Sequence, residues 1–189
     1  QPFIRFFHDR RDLLRLANVV ADVAVLRSYP SQVFGGPQQA ALTAATEQAM
    51  IENRVPFQII HEHQLDDLRR YRVLVLAGCP AMSDQQVRLV RRYVEQGGRL
   101  CILGQAATHD EWMWPRSTPG LDGLAAARVR SVAKPEEVLQ AVRDLCPDGL
   151  AMSVEGPVGL CAELTEQGNR RLVHLVNYRA GEPAGPVTV

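Results

Sequence analysis

A cysteine, two histidines and two carboxylates are the residues of this sequence best suited to chemistry. Cys79 and His61 each follow an apolar run, and His109, Asp110 and Glu111 follow another one. A thiolate whose proton an imidazole removes, with a carboxylate orienting that imidazole, is the machinery of cysteine hydrolases. One hypothesis is therefore a hydrolase in which Cys79 is the nucleophile, His61 or His109 the base, and Asp110 or Glu111 the orienting group. The other is that Cys79 packs in the core, as many cysteines do, and that the chain catalyses nothing.

Two further hypotheses concern bound ions. His61, His63, His109 and Asp110 offer nitrogen and oxygen ligands, and side chains at i and i+2 of an extended segment point the same way. No recognised ligand motif supports this metal site, and no glycine-rich phosphate motif follows a predicted strand. Gly35-Gly36 precedes a helix start that could hold an anion, but a flexible connection explains it more simply. We expect neither a metal nor a cofactor.

Aromatic residues stand out in a segment that is otherwise poor in large apolar side chains. Trp112 and Trp114 lie close to Arg116 within a predicted loop. Exposed aromatic side chains often anchor an interface or stack on a sugar ring, and they can equally pack beneath their own loop. The three residues are therefore candidates for contact with a partner or with carbohydrate.

Alternating apolar runs and helical patterns predict the elements that position these residues. We expect buried strands at 21–26, 57–60, 73–77 and 100–103, and helices at 3–16, 37–53, 84–96 and 135–145 with a helical turn at 65–71. Ser83 with Gln86 forms a helix-capping pattern. Strands that alternate with helices form a parallel sheet with helices on both faces. Because ligands bind beyond the carboxyl ends of such strands, the candidate residues share one edge.

The C-terminal half has a different pattern. Residues 105–123 are expected to form a long loop, followed by a strand at 128–132. Runs at 158–165 and 170–178 flank the turn Glu166-Gln167-Gly168-Asn169 and predict an antiparallel hairpin. It forms either the edge of the main sheet or the start of a β-sandwich. We divide the chain into the tail of a preceding domain (1–18), the α/β domain (19–150) and the hairpin segment (151–189).

Composition narrows the classes of function. The 189 residues include 21 basic and 21 acidic side chains, so no net charge is available to attract nucleic acid. No apolar run reaches the ~20 residues that cross a bilayer, and we expect a soluble protein in an unspecified compartment. The four cysteines are too widely spaced to predict zinc or disulfides. The chain starts without Met and ends in a strand-like run, so we expect a piece of a longer protein.

The pattern resembles two related families. The segments Val73 to Cys79 and Gly97 to Gly104 resemble the class I glutamine amidotransferase-like fold, but Leu103-Gly104-Gln105-Ala106-Ala107 lacks the nucleophilic Cys of its G-x-C-x-G elbow. The trimerisation domain of family 42 β-galactosidases and related glycoside hydrolases is more similar. The residues that carry this resemblance are Ala21-Asp22-Val23-Ala24-Val25-Leu26, Val55-Pro56-Phe57-Gln58-Ile59-Ile60, Leu68 to Leu76, Ser83-Asp84-Gln85-Gln86-Val87, Tyr93-Val94-Glu95-Gln96-Gly97-Gly98, Asp110-Glu111-Trp112 with Arg116, and His174-Leu175-Val176-Asn177-Tyr178.

The resemblance implies a three-layer α/β sandwich with a mainly parallel, flavodoxin-like or amidotransferase-like sheet and a C-terminal β-hairpin. It also implies a middle domain, placed after a catalytic barrel that holds both catalytic carboxylates and before a β-sandwich. Such a domain mediates association, so the implied partners are other copies in a trimer, the remaining domains of the parent enzyme and carbohydrate. Nucleic acid and membranes are not among them. No residue of this chain is then catalytic.

Overall fold

The computed structural model describes residues 2–179 and 181–189, so residues 1 and 180 of the predicted first and third segments lie outside it. Its helices are α1 (Pro2–Asp9), α2 (Arg11–Leu14), α3 (Tyr29–Phe34), α4 (Pro37–Glu52), α5 (Asp84–Glu95) and α6 (Pro135–Asp144), with 3-10 helices at Glu62–Arg70 and Ala126–Arg128. Its strands are β1 (Asn18–Val19), β2 (Val23–Leu26), β3 (Phe57–Ile60), β4 (Val73–Ala81), β5 (Arg99–His109), β6 (Val129–Val132), β7 (Leu160–Gln167) and β8 (Arg170–Asn177).

The main sheet is parallel, as predicted. Its five strands lie in the order β3-β2-β4-β5-β6, and every neighbouring pair runs in the same direction. The central strand β4 is buried along its whole length, which explains its nearly continuous apolar sequence. The carboxyl ends of β2, β3, β4 and β5 therefore meet at one edge, which we call the carboxyl edge.

Helices cover both faces of this sheet, which confirms the predicted three-layer α/β class. Leu74 and Leu76 of β4 face α5 and the 3-10 helix Glu62–Arg70. Val73 and Val75 face the opposite way, towards α4 and α6. The alternation along a single strand thus supplies both cores, one for each helical layer.

Local signals explain where the helices begin. Ser83 and Gln86 form the predicted capping box of α5, in which the Gln86 amide donates to Ser83 Oγ over 3.3 Å and the Ser83 amide donates to Gln86 Oε1 over 2.7 Å. The predicted stripe of Val87, Val90 and Val94 is buried. α4 begins with Pro37 in its first turn.

Two central strands are longer than predicted. We expected a loop from residue 105 onward, but β5 continues to His109 because β4 continues beside it, pairing Cys79 with Ala106 and Ala81 with His109. Register shifts separate these pairs from the regular ladder. Gly78 permits the shift, since it adopts φ +63° where a Cβ would lie 2.9 Å from the Gln39 carbonyl oxygen.

The prediction of one continuous helix at 3–16 is wrong. Arg10 has non-helical backbone angles, so the segment forms α1 and α2 instead. The short helix α3 was not predicted. Its first turn contains Pro30, and Ser28 caps it by accepting a hydrogen bond from the Ser31 amide over 3.3 Å.

The C-terminal hairpin is confirmed and belongs to a separate antiparallel sheet of order β1-β7-β8. β1 pairs with β7 through Asn18 and Val19, so the end of the predicted first segment joins the third. The guanidinium of Arg54, in the turn after α4, donates to the carbonyl oxygens of Gly156 and Pro157 over 2.7 and 2.6 Å and links that turn to this region. Within residues 2–179 and 181–189, no helix has the length and apolar character that spanning a membrane requires.

Candidate functional site

The first candidate residue, Cys79, lies inside the protein. Its side chain is fully buried, and its Sγ lies 3.7 Å from the carbonyl oxygens of Leu26 and Ala77. Burial raises the pKa of the Cys79 thiol to about 12, which keeps it protonated at neutral pH. A protonated thiol without access to solvent is a poor nucleophile.

The histidines near this edge have other partners. His109 Nδ1 lies 2.9 Å from Thr108 Oγ1. The rings of His61 and His63 stack with centroids 6.2 Å apart. No three His, Cys, Asp or Glu side chains of the described residues gather in a group that could hold a metal ion. The structure therefore does not bring the four residues of the metal hypothesis into one site.

The structure also shows the glycine turn before α4 and the segment that we compared with a nucleophile elbow. Gly36 has φ +84° and directly precedes α4, so it serves as a turn into that helix. The segment compared with a nucleophile elbow is part of β5, with Gly104 at φ +74° and the fully buried Ala107 at φ +51°. Ala107 offers no reactive atom, so this backbone strain presents no nucleophile.

The loop after β5 is held tightly by Asp110. Its Oδ1 accepts hydrogen bonds from the amides of Trp112 and Trp114, each over 2.9 Å. Its own amide donates to the Trp114 carbonyl oxygen over 2.9 Å. Asp110 is thus an organising residue of the loop rather than a partner of an imidazole.

Arg116 joins this loop to the neighbouring strand and helix. It donates to Asp84 Oδ1 over 2.6 Å, to the Met82 carbonyl oxygen over 2.7 Å and to the His109 carbonyl oxygen over 3.2 Å. These bonds reach the end of β4, the start of α5 and the end of β5. Arg116 therefore fixes the loop against the carboxyl edge.

The loop displays both tryptophans. Trp112 is 67% exposed and Trp114 is 72% exposed, so neither packs beneath the loop. The Trp112 ring lies 6.2 Å from the ring of Phe34 in α3, measured between centroids. Phe34 is itself half exposed, as is Val33, and Tyr29 on the same short helix is more exposed still. Sequence reasoning missed these α3 residues because it did not predict the helix.

An open groove of about 510 Å³ lies beside Trp114 and not beside Trp112. We call it the Trp114 groove. Its walls include Trp114, Asp110, Glu111, Arg116, Asp84 and Gln85. Asp84 and Gln85 come from the first turn of α5, so the groove joins that helix to the loop. The sequence alone could not find it, because some 25 residues separate the two segments.

Solved structures of similar fold come from glycoside hydrolases. A β-galactosidase from Bacillus circulans sp. alkalophilus matches with a TM-score of 0.72 and 12% identity, over 89% of this chain and 37% of its own. An α-L-fucosidase isoenzyme from Paenibacillus thiaminolyticus matches with a TM-score of 0.69 and 16% identity, over 94% and 41%. The apo exo-carrageenase GH42 from Bacteroides ovatus matches with a TM-score of 0.64 and 15% identity, over 84% and 23%.

These similarities define the class of fold. The chain has the α/β fold of one part of these enzymes and spans between about a quarter and two fifths of their length. No protein-family model matches the chain, and no curated protein matches its sequence.

Proposed function

We propose that the chain is a non-catalytic accessory domain of a glycoside hydrolase and that it holds copies of the enzyme together. The observation that carries this proposal is the extent of the structural matches. They cover 84 to 94% of this chain but only 23 to 41% of the glycoside hydrolases. In each of those proteins the region of similar fold is accompanied by a larger remainder of the chain.

The chemistry of the carboxyl edge supports a role without catalysis. Cys79 is buried with a raised thiol pKa, and the segment Leu103 to Ala107, which we compared with a nucleophile elbow, has no cysteine or serine. Asp110 and Arg116 use their hydrogen-bonding groups to fix a loop. Neither the Cys79 thiol nor the compared elbow therefore offers a nucleophile to solvent at this edge.

The exposed aromatic residues support a role in association. We define the aromatic patch as Tyr29, Val33, Phe34 and Trp112, in which Phe34 and Trp112 contact each other. Large apolar side chains grouped on a surface typically mark an interface with another protein. A second copy of this chain is the partner that we propose, and a trimer is the state that the family resemblance implies.

Sedimentation velocity over a range of protein concentrations tests the association. We expect the sedimentation coefficient to rise with concentration, and we expect Phe34→Glu to hold the protein as a monomer because it places a charge in the patch. Val158→Glu is the matched control, since Val158 is an exposed apolar residue in a turn away from the patch. A protein that is monomeric at every concentration, or that associates equally after Phe34→Glu, contradicts the proposed interface.

A further inference from the structure

The Trp114 groove combines an aromatic wall with polar groups. Trp114 presents most of its indole to solvent, and Glu111, Asp110, Asp84 and Gln85 lie around the same space. The Trp112 ring lies beside that of Phe34, whereas Trp114 lines the groove. An indole face beside carboxylate oxygens suits a ligand that has both an apolar face and hydroxyl donors.

The charges in the groove exclude an anionic ligand. Asp84, Asp110 and Glu111 carry three negative charges against the single positive charge of Arg116. That guanidinium already donates to Asp84 and to two backbone carbonyl oxygens. A phosphate, a sulfate or a nucleic acid would therefore meet net repulsion with no free cation to bind it.

The groove also has free acceptors. Asp110 uses Oδ1 for two loop amides, and its other carboxylate oxygen takes no hydrogen bond from the described residues. The carboxylate of Glu111 lines the same groove. Carboxylates bind hydroxyl groups strongly, because hydrogen bonds to an ionised acceptor are about twice as strong as neutral ones.

These observations together point to one class of ligand. We propose that the Trp114 groove binds a neutral oligosaccharide, with one sugar ring against the Trp114 indole and its hydroxyl groups donating to Glu111 and Asp110. The inference extends the proposed function, because it gives the accessory domain a direct contact with carbohydrate. It assigns binding only and no bond cleavage.

Two substitutions separate this site from the aromatic patch. Trp114→Ala removes the groove wall, whereas Trp112→Ala removes the same side chain two residues away, outside the groove lining. Both indoles are exposed, so neither change should unfold the protein. Glu111→Gln keeps the size of the side chain while removing its charge.

Isothermal titration of the whole chain with a β-1,4-linked galactotetraose measures the binding. We expect a Kd of about 1 mM for the wild-type protein. Trp114→Ala should weaken binding by about tenfold or more, and Glu111→Gln should weaken it by a smaller factor. Trp112→Ala should leave the affinity within about twofold. The chain contains only two tryptophans, so in Trp112→Ala all indole fluorescence reports on Trp114 and should shift on titration.

Several results would overturn the inference. One is the absence of heat and of a fluorescence shift at about 10 mM sugar, tenfold above the expected Kd. Another is equal loss of binding in the two tryptophan variants. Binding of tetramethylammonium in place of the sugar would assign the groove to organic cations, which aromatic rings and carboxylates also attract. Sedimentation of the same samples distinguishes self-association from sugar binding. A protein that self-associates but binds no sugar would contradict only the proposed sugar site.

Discussion

Arg27 and Glu47 form a two-pronged ion pair between the end of β2 and the middle of α4. Arg27 Nε donates to Glu47 Oε1 over 2.7 Å and Nη2 donates to Oε2 over 2.5 Å. The Glu47 side chain is only 8% exposed, while that of Arg27 is 44% exposed. The hydrogen bonds with Glu47 raise the pKa of Arg27. The Arg27 guanidinium, which water still reaches, therefore balances the negative charge of the nearly buried Glu47 carboxylate.

Arg27→Ala should lower the free energy of unfolding by about 1 to 3 kcal/mol, because it leaves the Glu47 carboxylate buried without its partner. Urea unfolding followed by circular dichroism gives the value. Arg179→Ala is the control, since Arg179 pairs with Glu182 over 3.3 Å where both side chains are exposed. We expect that change to stay within about 0.5 kcal/mol. Equal losses in the two variants would show that the burial of Glu47 has no energetic consequence.

Gly78→Ala should destabilise the protein by about 1 to 3 kcal/mol. The new Cβ would lie 2.9 Å from the Gln39 carbonyl oxygen, at a residue whose φ of +63° already disfavours a side chain. Gly123→Ala is the matched control, because its φ is +76° and no atom lies within 4 Å of the Cβ position. Thermal unfolding should show the larger fall in Tm for Gly78→Ala. The reverse order would mean that α4 moves away from β4 without cost.

The stability of the fold should decrease above pH 9. Burial raises the pKa values of the Cys79 and Cys101 thiols from an ordinary 9.0 to about 12. Between these values the unfolded chain has lost protons that the folded chain keeps, so the free energy of unfolding falls as the pH rises. The slope should approach about 1.4 kcal/mol per pH unit for each thiol. Urea unfolding at several pH values measures it, and Cys79→Ala should make the slope shallower.

Native alkylation gives a separate test of the buried thiols. With iodoacetamide at pH 7.5 we expect Cys161, which is partly exposed, to react while Cys79 and Cys101 stay protected. Peptide mass spectrometry after a timed quench gives the extent at each site. Fast modification of Cys79 in the folded protein would instead support the hypothesis of a thiol nucleophile.

Arg116→Ala should loosen the loop that carries both tryptophans. Hydrogen exchange at the Trp112 and Trp114 amides should accelerate by about tenfold or more, since hydrogen bonds to charged groups contribute about 1.5 to 3 kcal/mol each. Arg91→Ala is the control. Arg91 donates to the carbonyl oxygens of Gly120 and Asp122, which lie further along the same connection. It should leave the exchange of both tryptophan amides unchanged.

Much of the main sheet follows from sequence patterns. The strand at 57–60 was predicted to the residue, and the capping box of Ser83 located α5. Both depend on neighbouring residues in the chain. The longer extents of β4 and β5 do not, because Gly78 and Gly104 are strong turn signals in isolation. Only the pairing of one strand with the other overrides those signals.

The sequence indicated candidate residues for surface contact but not the residues that they contact. Trp112, Trp114 and Arg116 were candidates for contact with a partner or with carbohydrate, and the two tryptophans are exposed. Arg116, however, bonds to Asp84, which is 32 residues away, and Phe34 of α3 meets Trp112 of the loop after β5. Ser31 in that helix shows the reason, since its hydroxyl donates to the Ala81 carbonyl oxygen over 3.2 Å. Such bonds depend on the folded sheet and have no local signature.

The extension of β4 and β5 past their neighbours has an evolutionary consequence. Helices pack against the extended ends as well, because Ala81 of β4 bonds to Ser31 of α3, whereas the loop that follows β5 carries both tryptophans at the surface. Insertions, deletions and substitutions in that loop can accumulate while the packed interior stays under selection for stability. Related domains could thus diverge in what they contact while retaining the same scaffold.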